Sequence, residues 1–443
     1  MPGWPFKPGM ISTEGRCCAI ALFYASGRVN GIGFTGLWRH PEFVKLWTGQ
    51  TISQFGTQVS QLAIPLTAVL VLNASPAEMG LLGAFEFSPF LLLSLFAGVW
   101  VDRLRRRPIL IVADIARAAL LGSIPLAAVL GVLTMAQLYV VGLVSGVFTV
   151  FFDVAYQSYL PVLVNREHLV EGNSKLEVSR SVAQIAGPGM AGGLVQLATA
   201  PIAVLVDALS YIASVISLLT IHVAEPAPLR AQHGAMWPQL REGLVIVLGN
   251  PLLRSIAGCT GTSNLFGNAM QAVYLLYITR ELGLQPAVIG LIFAVSGPGA
   301  LLGALLAGKL ADTFGLGRTI VGSVFVGGLA NLLVPLAGGP PPLTAGLLMV
   351  AAFFSGAAGP VYNINQVSLR QAITPDQLQG RMNASMRFIV WGTIPIGALL
   401  GGALGQVFGL WPTIVAMVLA DLLSPAWVLF SPVRQLKGQP EPV

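Results

Sequence analysis

The sequence predicts an all-α integral membrane protein whose twelve transmembrane helices form two pseudo-symmetric six-helix bundles. Three observations predict it. The 443 residues are 55% hydrophobic and only 9% charged, against roughly 25% charged residues in an ordinary soluble domain. Apolar stretches recur at the length of about 20 residues that crosses a bilayer. Residues also repeat at an offset of 210: Pro41 meets Pro251, Pro76 meets Pro286, Gly80 meets Gly290, Gly98 meets Gly308, Asp102 meets Asp312 and Asn173 meets Asn383. The chain therefore reads as two copies of one unit.

Other classes fall away on the same numbers. Disorder needs low hydrophobicity and high charge, so only residues 1 to 36 and 433 to 443 read as loose. The net charge of +6 would suit nucleic acid only if the basic residues clustered on a soluble face, and here they sit in loops. Cys17, Cys18 and Cys259 give no disulfide framework, and His40, His168, His222 and His233 show no metal-ligand spacing, so neither a metal nor another cofactor is expected. The segment "RCCAIALFYASG" has the outline of a weak signal peptide. A cleaved signal would place the mature N-terminus outside, against the charge of the loops, so residues 1–40 are read as a cytoplasmic tail.

Taken in order, spans 1 to 6 fall near residues 43–72, 77–101, 108–131, 137–160, 169–196 and 201–223. Spans 7 to 12 fall near 253–280, 286–311, 318–337, 344–370, 376–407 and 410–431. The division is an N-terminal bundle over 41–223, a cytoplasmic linker over 224–250 containing a short interfacial helix, a C-terminal bundle over 251–432 and a tail over 433–443. Nearly all Lys and Arg lie at the termini and in the loops after spans 2, 4, 6, 8 and 10, while the opposite loops hold Arg280 alone. Basic residues stay on the cytoplasmic side. Both ends of the chain are therefore expected in the cytoplasm of a cell whose plasma membrane holds the spans.

Span 1 carries Gln50, Gln54, Gln58 and Gln61 on one helical face. At offset 210, Gln54, Gln58 and Gln61 meet Asn264, Asn268 and Gln271 in span 7. Amides facing lipid would go unsatisfied, so the two stripes are read as walls of one central cavity, with interhelical glue as the alternative. Ionisable residues inside spans are functional candidates by default. They include Glu86 in span 2, Asp114 and Arg117 in span 3, Asp153 in span 4, Arg180 in span 5, Asp207 in span 6, Arg387 in span 11 and Asp421 in span 12. Asp114 and Arg117, three apart on one face, read as a local ion pair, and Asp207 and Asp421 as packing residues. Asp153 faces Asn363, Glu86 faces Ser296 and Arg180 faces Val390 across the repeat, so these three are special to the first half and are the proton-coupling candidates. A carboxylate that alternates between a dry cavity and a nearby Arg takes up and releases a proton. Tyr156, Tyr362, Asn363 and Gln366 add aromatic and amide surface to the expected cavity, a mixture suited to a large amphipathic ligand.

In span 5, "GPGMAGG" fits a dinucleotide fingerprint through Gly187, Gly189 and Gly192. That motif needs a preceding strand. Here it interrupts an apolar helix, so close helix packing with a bend at Pro188 replaces the nucleotide reading.

Two six-helix halves with the basic turn "AGVWVDRLRRRP" after span 2 resemble the major facilitator superfamily, whose signature there is G-x-x-x-D-R-x-G-R-R. Gly98, Asp102, Arg103, Arg106 and Arg107 match it and Arg105 replaces the second Gly; Gly308, Asp312 and Gly315 repeat it, with Arg318 displaced. Gly187, Pro188, Gly192 and Gly193 match the G-P-x-x-x-G-G signature of its antiporter branches. The stretches "HPEFVKLWTGQ", "FFDVAYQSYLPVLV" and "DALSYIAS" resemble more narrowly the siderophore and multidrug efflux branch that includes the enterobactin exporter. The resemblance implies that spans 1, 4, 7 and 10 line the cavity while 3, 6, 9 and 12 are peripheral. It implies an exporter of an amphipathic drug or siderophore that works by alternating access in exchange for protons. It also implies a cytoplasmic latch, in which Asp102 meets the start of span 11 near Arg381 or Arg387 and Asp312 meets the start of span 5 near Lys175 or Arg180. One departure is that many drug-proton antiporters carry an Arg in span 4 and this chain has none. Lipid movement, for example of lysophospholipid, and a non-transporting sensor or scaffold are the competing readings; no enzyme motif is present. The expected partners are a small-molecule substrate, the proton and the bilayer, with no nucleic acid, and the expected state is a monomer.

Overall fold

In a computed structural model of the chain, residues 36–101, 103–164, 166–223, 225 and 236–438 are described. Asp102, the signal-like segment and much of the 224–250 linker lie outside them. Among the described residues all regular structure is helical. Spans 1 to 6 are Pro41–Leu70, Pro76–Val101, Arg106–Val129, Met135–Leu163, Leu169–Leu197 and Ala200–Leu219. Span 7 is Pro251–Leu276, continued by a π turn at Tyr277–Glu281. Span 8 is Pro286–Phe314, span 10 is Pro341–Ile373 and span 11 is Asp376–Phe408. Spans 9 and 12 are broken, as Leu316–Asn331 with Leu333–Leu336 and as Leu410–Asp421 with Ala426–Leu429. The linker helix, Met236–Gly249, turns by 100° into span 7 and lies against span 11.

Local chemistry sets many of the starts. Pro41, Pro201, Pro251, Pro286 and Pro341 stand in first turns, where a missing N–H costs nothing. The Asn250 side-chain oxygen accepts from the backbone N–H of Leu252 and Leu253 at 2.9 and 3.3 Å, capping span 7. By length and hydropathy alone eight of the described helices could cross a membrane. Spans 1 and 5 fall short because the first carries its glutamine face and the second carries Glu171, Lys175, Glu177 and Arg180.

The halves repeat one packing plan. Span 1 packs on 5 and 6, span 2 on 4, and span 3 on 4 and 6; six helices later, span 7 packs on 11 and 12, span 8 on 10, and span 9 on 10. The bundles meet chiefly through span 2 against 11 and span 5 against 8, and each of these four helices has an internal proline, Pro89, Pro188, Pro298 or Pro395. The buried core shows how they meet. At the end away from the arginine-rich loops one apolar cluster runs through both bundles, from Val59 and Leu66 to Val273 and Ile289. At the arginine-rich end the core divides into an N-terminal cluster around Phe43, Phe152 and Tyr159 and a separate C-terminal cluster around Ile256, Ile320 and Met386. The molecule is sealed at one end and parted at the other.

Candidate functional site

The seal consists of two helix crossings related by the repeat. A Cβ added to Gly80 would lie 2.6 Å from the Ala398 carbonyl oxygen, and one added to Gly402 would lie 2.7 Å from the Pro76 oxygen. In the matching crossing, a Cβ on Gly290 would lie 2.5 Å from the Pro188 oxygen and one on Gly192 2.5 Å from the Pro286 oxygen. Every partner is backbone, so only glycine lets the helices come this close. Of the glycines in "GPGMAGG", Gly192 makes the crossing and Gly187 packs on the Gln58 side chain, while Gly193 faces open space.

Below the seal lie two chambers that share Gln58, Gln61 and Phe87. The narrower, about 350 Å³, is lined also by Glu86, Pro188, Asn268, Gln271 and Phe293. The wider, about 610 Å³, reaches the arginine-rich end and is lined also by Gln54, Arg117, Phe152, Asp153, Tyr156, Glu177, Arg180, Tyr211 and Trp391. Span 1 thus presents its three repeat-matched glutamines to the space between the bundles, and Asn268 and Gln271 answer them from span 7.

The remaining residues singled out in span 7 and span 10 sit elsewhere. Asn264 donates its side-chain N–H to the Val390 carbonyl at 3.0 Å, tying span 7 to 11. Tyr362 and Thr260 share a hydroxyl hydrogen bond of 2.6 Å, tying span 10 to 7. Gln366 is buried and donates to the Asn363 side-chain oxygen at 2.9 Å. These side chains turn toward the C-terminal bundle, with the Gln366 Oε1 buried and without a hydrogen-bond partner, and line neither chamber. The lining is correspondingly weighted toward the N-terminal bundle.

Arg117 is the residue the sequence reading placed least well. Its span is peripheral by resemblance, yet the side chain reaches inward to the wide chamber while only 5% exposed. The guanidinium lies between the Phe152 and Tyr211 rings, 4.3 Å from each centroid, an arrangement that attracts a cation to both faces. Its Nη2 donates to Asp114 Oδ1 in a buried ion pair, as the spacing of three predicted. Asp207, also buried, accepts from Ser210 Oγ at 3.1 Å and acts electrostatically on Arg117 together with Asp114 and Asp153. The signal in the sequence was a ring close to a carboxylate in each neighbouring span: Phe152 beside Asp153, and Tyr211 four residues after Asp207.

Asp153 and Glu86 differ from the ion-paired Asp114, although Arg117, Arg180 and Arg387 all act electrostatically on Asp153. Neither has an ion-pair partner within 4.0 Å among the described residues. Asp153 is exposed to the wide chamber and Glu86 lines the narrow one. Arg180 instead approaches Glu177 at 3.9 Å, both largely exposed.

At the parted end the described residues expected in a latch find their contacts within their own halves or on the linker helix. Asp102 lies outside the described residues, and Gly98 sits in the last turns of span 2. Arg103 is exposed. Arg106 and Arg107 work within their own bundle: their backbone N–H groups donate to Glu225 at 2.6 and 3.3 Å, and the Arg107 side chain donates to the Leu218 and Leu219 carbonyls at 3.0 and 2.9 Å. Arg381 pairs with Glu242 of the linker helix at 2.5 Å. Arg387 lies 5.3 Å over Trp391. Asp312 is exposed, and Lys175 pairs with Glu171 at 3.3 Å.

The comparisons agree with this architecture. Residues 34–441 match the transmembrane secretion effector family. Multidrug efflux pump Tap of Mycolicibacterium fortuitum is 26% identical over 86% of this chain and 93% of its own. Enterobactin exporter EntS of Escherichia coli O127:H6 is 27% identical over 83% of this chain and 86% of its own. Among solved structures, a bacterial homologue of the iron transporter ferroportin in its inward-facing state aligns with a TM-score of 0.68 at 17% identity, covering 89% of this chain and 99% of that one. Its outward-facing state aligns with a TM-score of 0.55 at 16% identity, over 88% and 98%. The chain belongs to the transmembrane secretion effector family of the major facilitator superfamily, and is a multi-pass membrane transporter of small molecules and not an enzyme.

Proposed function

We propose that this transporter is a secondary exporter that carries an amphipathic small molecule, a drug or a siderophore, out of the cytoplasm by alternating access in exchange for protons. The observation that carries this reading is a polar, ring-lined cavity between two bundles, sealed at one end by symmetric glycine crossings and open at the other. By the distribution of Arg and Lys the open end is cytoplasmic, so the chain sits in the bacterial plasma membrane with both ends inside and the cavity faces inward. The higher TM-score of the inward-facing ferroportin homologue agrees with that state. Efflux is what the names of Tap and EntS describe. Rocking the bundles about the cavity opens the glycine crossings and brings the arginine-rich ends together. Asp102 and Asp312, with Arg381, Arg387 and the basic turn, then latch the cytoplasmic side.

Asp153 and Glu86 are the proton carriers in this reading, because each is a carboxylate lining the cavity with no ion pair within 4.0 Å among the described residues, and Asp153 lies within electrostatic reach of Arg117, Arg180 and Arg387. The test is transport in proteoliposomes under an imposed pH gradient, with siderophores, antibiotics and lysophospholipids as the panel. Gradient-dependent export of a drug or siderophore is expected, with loss of drive in Asp153→Asn or Glu86→Gln. Wild-type rates in both variants would refute the proton role, and movement of lysophospholipid alone would replace export with lipid transport.

A further inference from the structure

The internal repeat relates two corners at the arginine-rich end: the start of span 3 against the chain after span 6, and the start of span 9 against the chain after span 12. In the first, the chain supplies its own anion. Glu225, with a side chain only 7% exposed, accepts from the Arg106 and Arg107 backbone N–H groups and lies 3.5 Å from the Arg106 guanidinium. At the offset of 210, Arg106, Arg107 and Glu225 meet Leu316, Gly317 and Gln435. The Leu316 and Gly317 N–H groups are also satisfied, by the Lys437 and Leu436 carbonyls at 3.3 and 2.9 Å. The difference is in charge: a neutral amide stands where the first corner has its carboxylate. The second corner nonetheless carries cations. An open recess of about 750 Å³ has Arg318, Arg434, Gln435, Leu429 and Phe430 in its lining and no acidic residue. Both arginines are exposed, and neither has an ion-pair partner within 4.0 Å among the described residues. Phe430, at the end of span 12, is 84% exposed, and such a ring suits the boundary between headgroups and hydrocarbon. Two unpaired cations beside an apolar wall match a ligand with a phosphate at one end and acyl chains at the other; a free anion would leave Phe430 uncovered.

We propose that the corner between the start of span 9 and the end of span 12 binds an anionic phospholipid from the leaflet at the arginine-rich end. Its phosphate sits against Arg318 and Arg434, and an acyl chain runs along Leu429 and Phe430. The lipid supplies to the second half the negative charge that Glu225 supplies to the first. The site shares no residue with either chamber, so it does not depend on what the transporter carries.

The test is native mass spectrometry of the purified full chain titrated in detergent with dioleoylphosphatidylglycerol or dioleoylphosphatidylcholine, which share their acyl chains and differ in net charge. Phosphatidylglycerol is expected to bind more tightly than phosphatidylcholine by about fivefold or more. Arg318→Gln and Arg434→Gln should each weaken it about fivefold, the worth of one cation at a membrane surface. Gln435→Glu should weaken it with both arginines in place, because it supplies the carboxylate of the first corner. Arg103→Gln combined with Arg241→Gln, which removes exposed cations elsewhere at the same end, should bind as the wild type does. Wild-type lipid preference in the folded double variant Arg318→Gln with Arg434→Gln, or an equal loss in the control pair, overturns the proposal. Displacement of the lipid by millimolar inorganic phosphate also overturns it, since the corner would then be a free-anion site. The same holds for a preference that emerges only in Glu441→Gln, since the chain's own tail would then be the occupant.

Discussion

Replacing Gly192 with alanine tests the seal directly. The added Cβ would lie 2.5 Å from the Pro286 oxygen, 2.7 Å from Gly290 Cα and 3.0 Å from Gly290 N, all backbone atoms that no rotamer change can move. Ordinary contact begins near 3.4 Å, so the crossing of spans 5 and 8 must open by about 0.9 Å, an overpacking that costs roughly 1–3 kcal/mol. That cost falls on the sealed state and is relieved when the crossing opens, so the ratio of opened to sealed molecules should rise by about 5- to 150-fold. The assay is the distance between spin labels at Leu197 and Phe408, exposed residues at the sealed ends of spans 5 and 11, in a chain with Cys17, Cys18 and Cys259 replaced by Ala. Gly192→Ala should add a longer-distance population. Gly193→Ala is the control, because its Cβ would meet nothing within 4 Å. Equal distance distributions in the two variants would refute the crossing as a gate, and the same follows if Gly193→Ala opens the molecule and Gly192→Ala does not.

Two other perturbations separate structural from functional charge. Arg117→Met leaves Asp114 buried without its cation, which should cost about 3–5 kcal/mol, whereas Arg117→Met with Asp114→Asn should recover most of it; thermal unfolding in detergent reads both, and equal stability of single and double variants would contradict the pairing. At the linker, a Cβ on Gly243 would collide with the Arg381 carbonyl oxygen and Ser385 Oγ, so Gly243→Leu should undock and loosen the helix and speed tryptic cleavage after Arg241, whose side chain is already exposed. Glu242→Ala removes only a half-exposed ion pair, worth less than about 1 kcal/mol, and should leave cleavage nearly unchanged.

Much of the scaffold was legible because the bilayer imposes it. Span length, loop charge and the offset of 210 each follow from a constraint that acts on every residue of a helix, and the observed spans begin and end within a few residues of those expected. The breaks in spans 9 and 12 and the π turn after Leu276 were not legible, since they depend on how neighbouring helices pack and leave little trace in composition. The site divides the same way. Gln54, Gln58, Gln61, Asn268 and Gln271 were found by periodicity plus repeat, two independent signals. Asn264, Tyr362 and Gln366 share the residue types but are turned to neighbours within their bundle, a difference of helix rotation that a residue type does not encode.

Arg117 shows the limit of assigning helices to roles. A span peripheral by its backbone still contributes to the cavity when its side chain is long enough, and arginine is the longest cation available. What brings it inward is not span 3 itself but the two rings from spans 4 and 6 that bracket the guanidinium, with Asp114 holding one edge. The same enclosure removes it as a ligand for substrate anions, because both faces are covered and the free Nε is buried. A conspicuous intramembrane arginine therefore belongs first to the buried frame of spans 3, 4 and 6, its charge spent on Asp114 and on two ring faces before any ligand arrives.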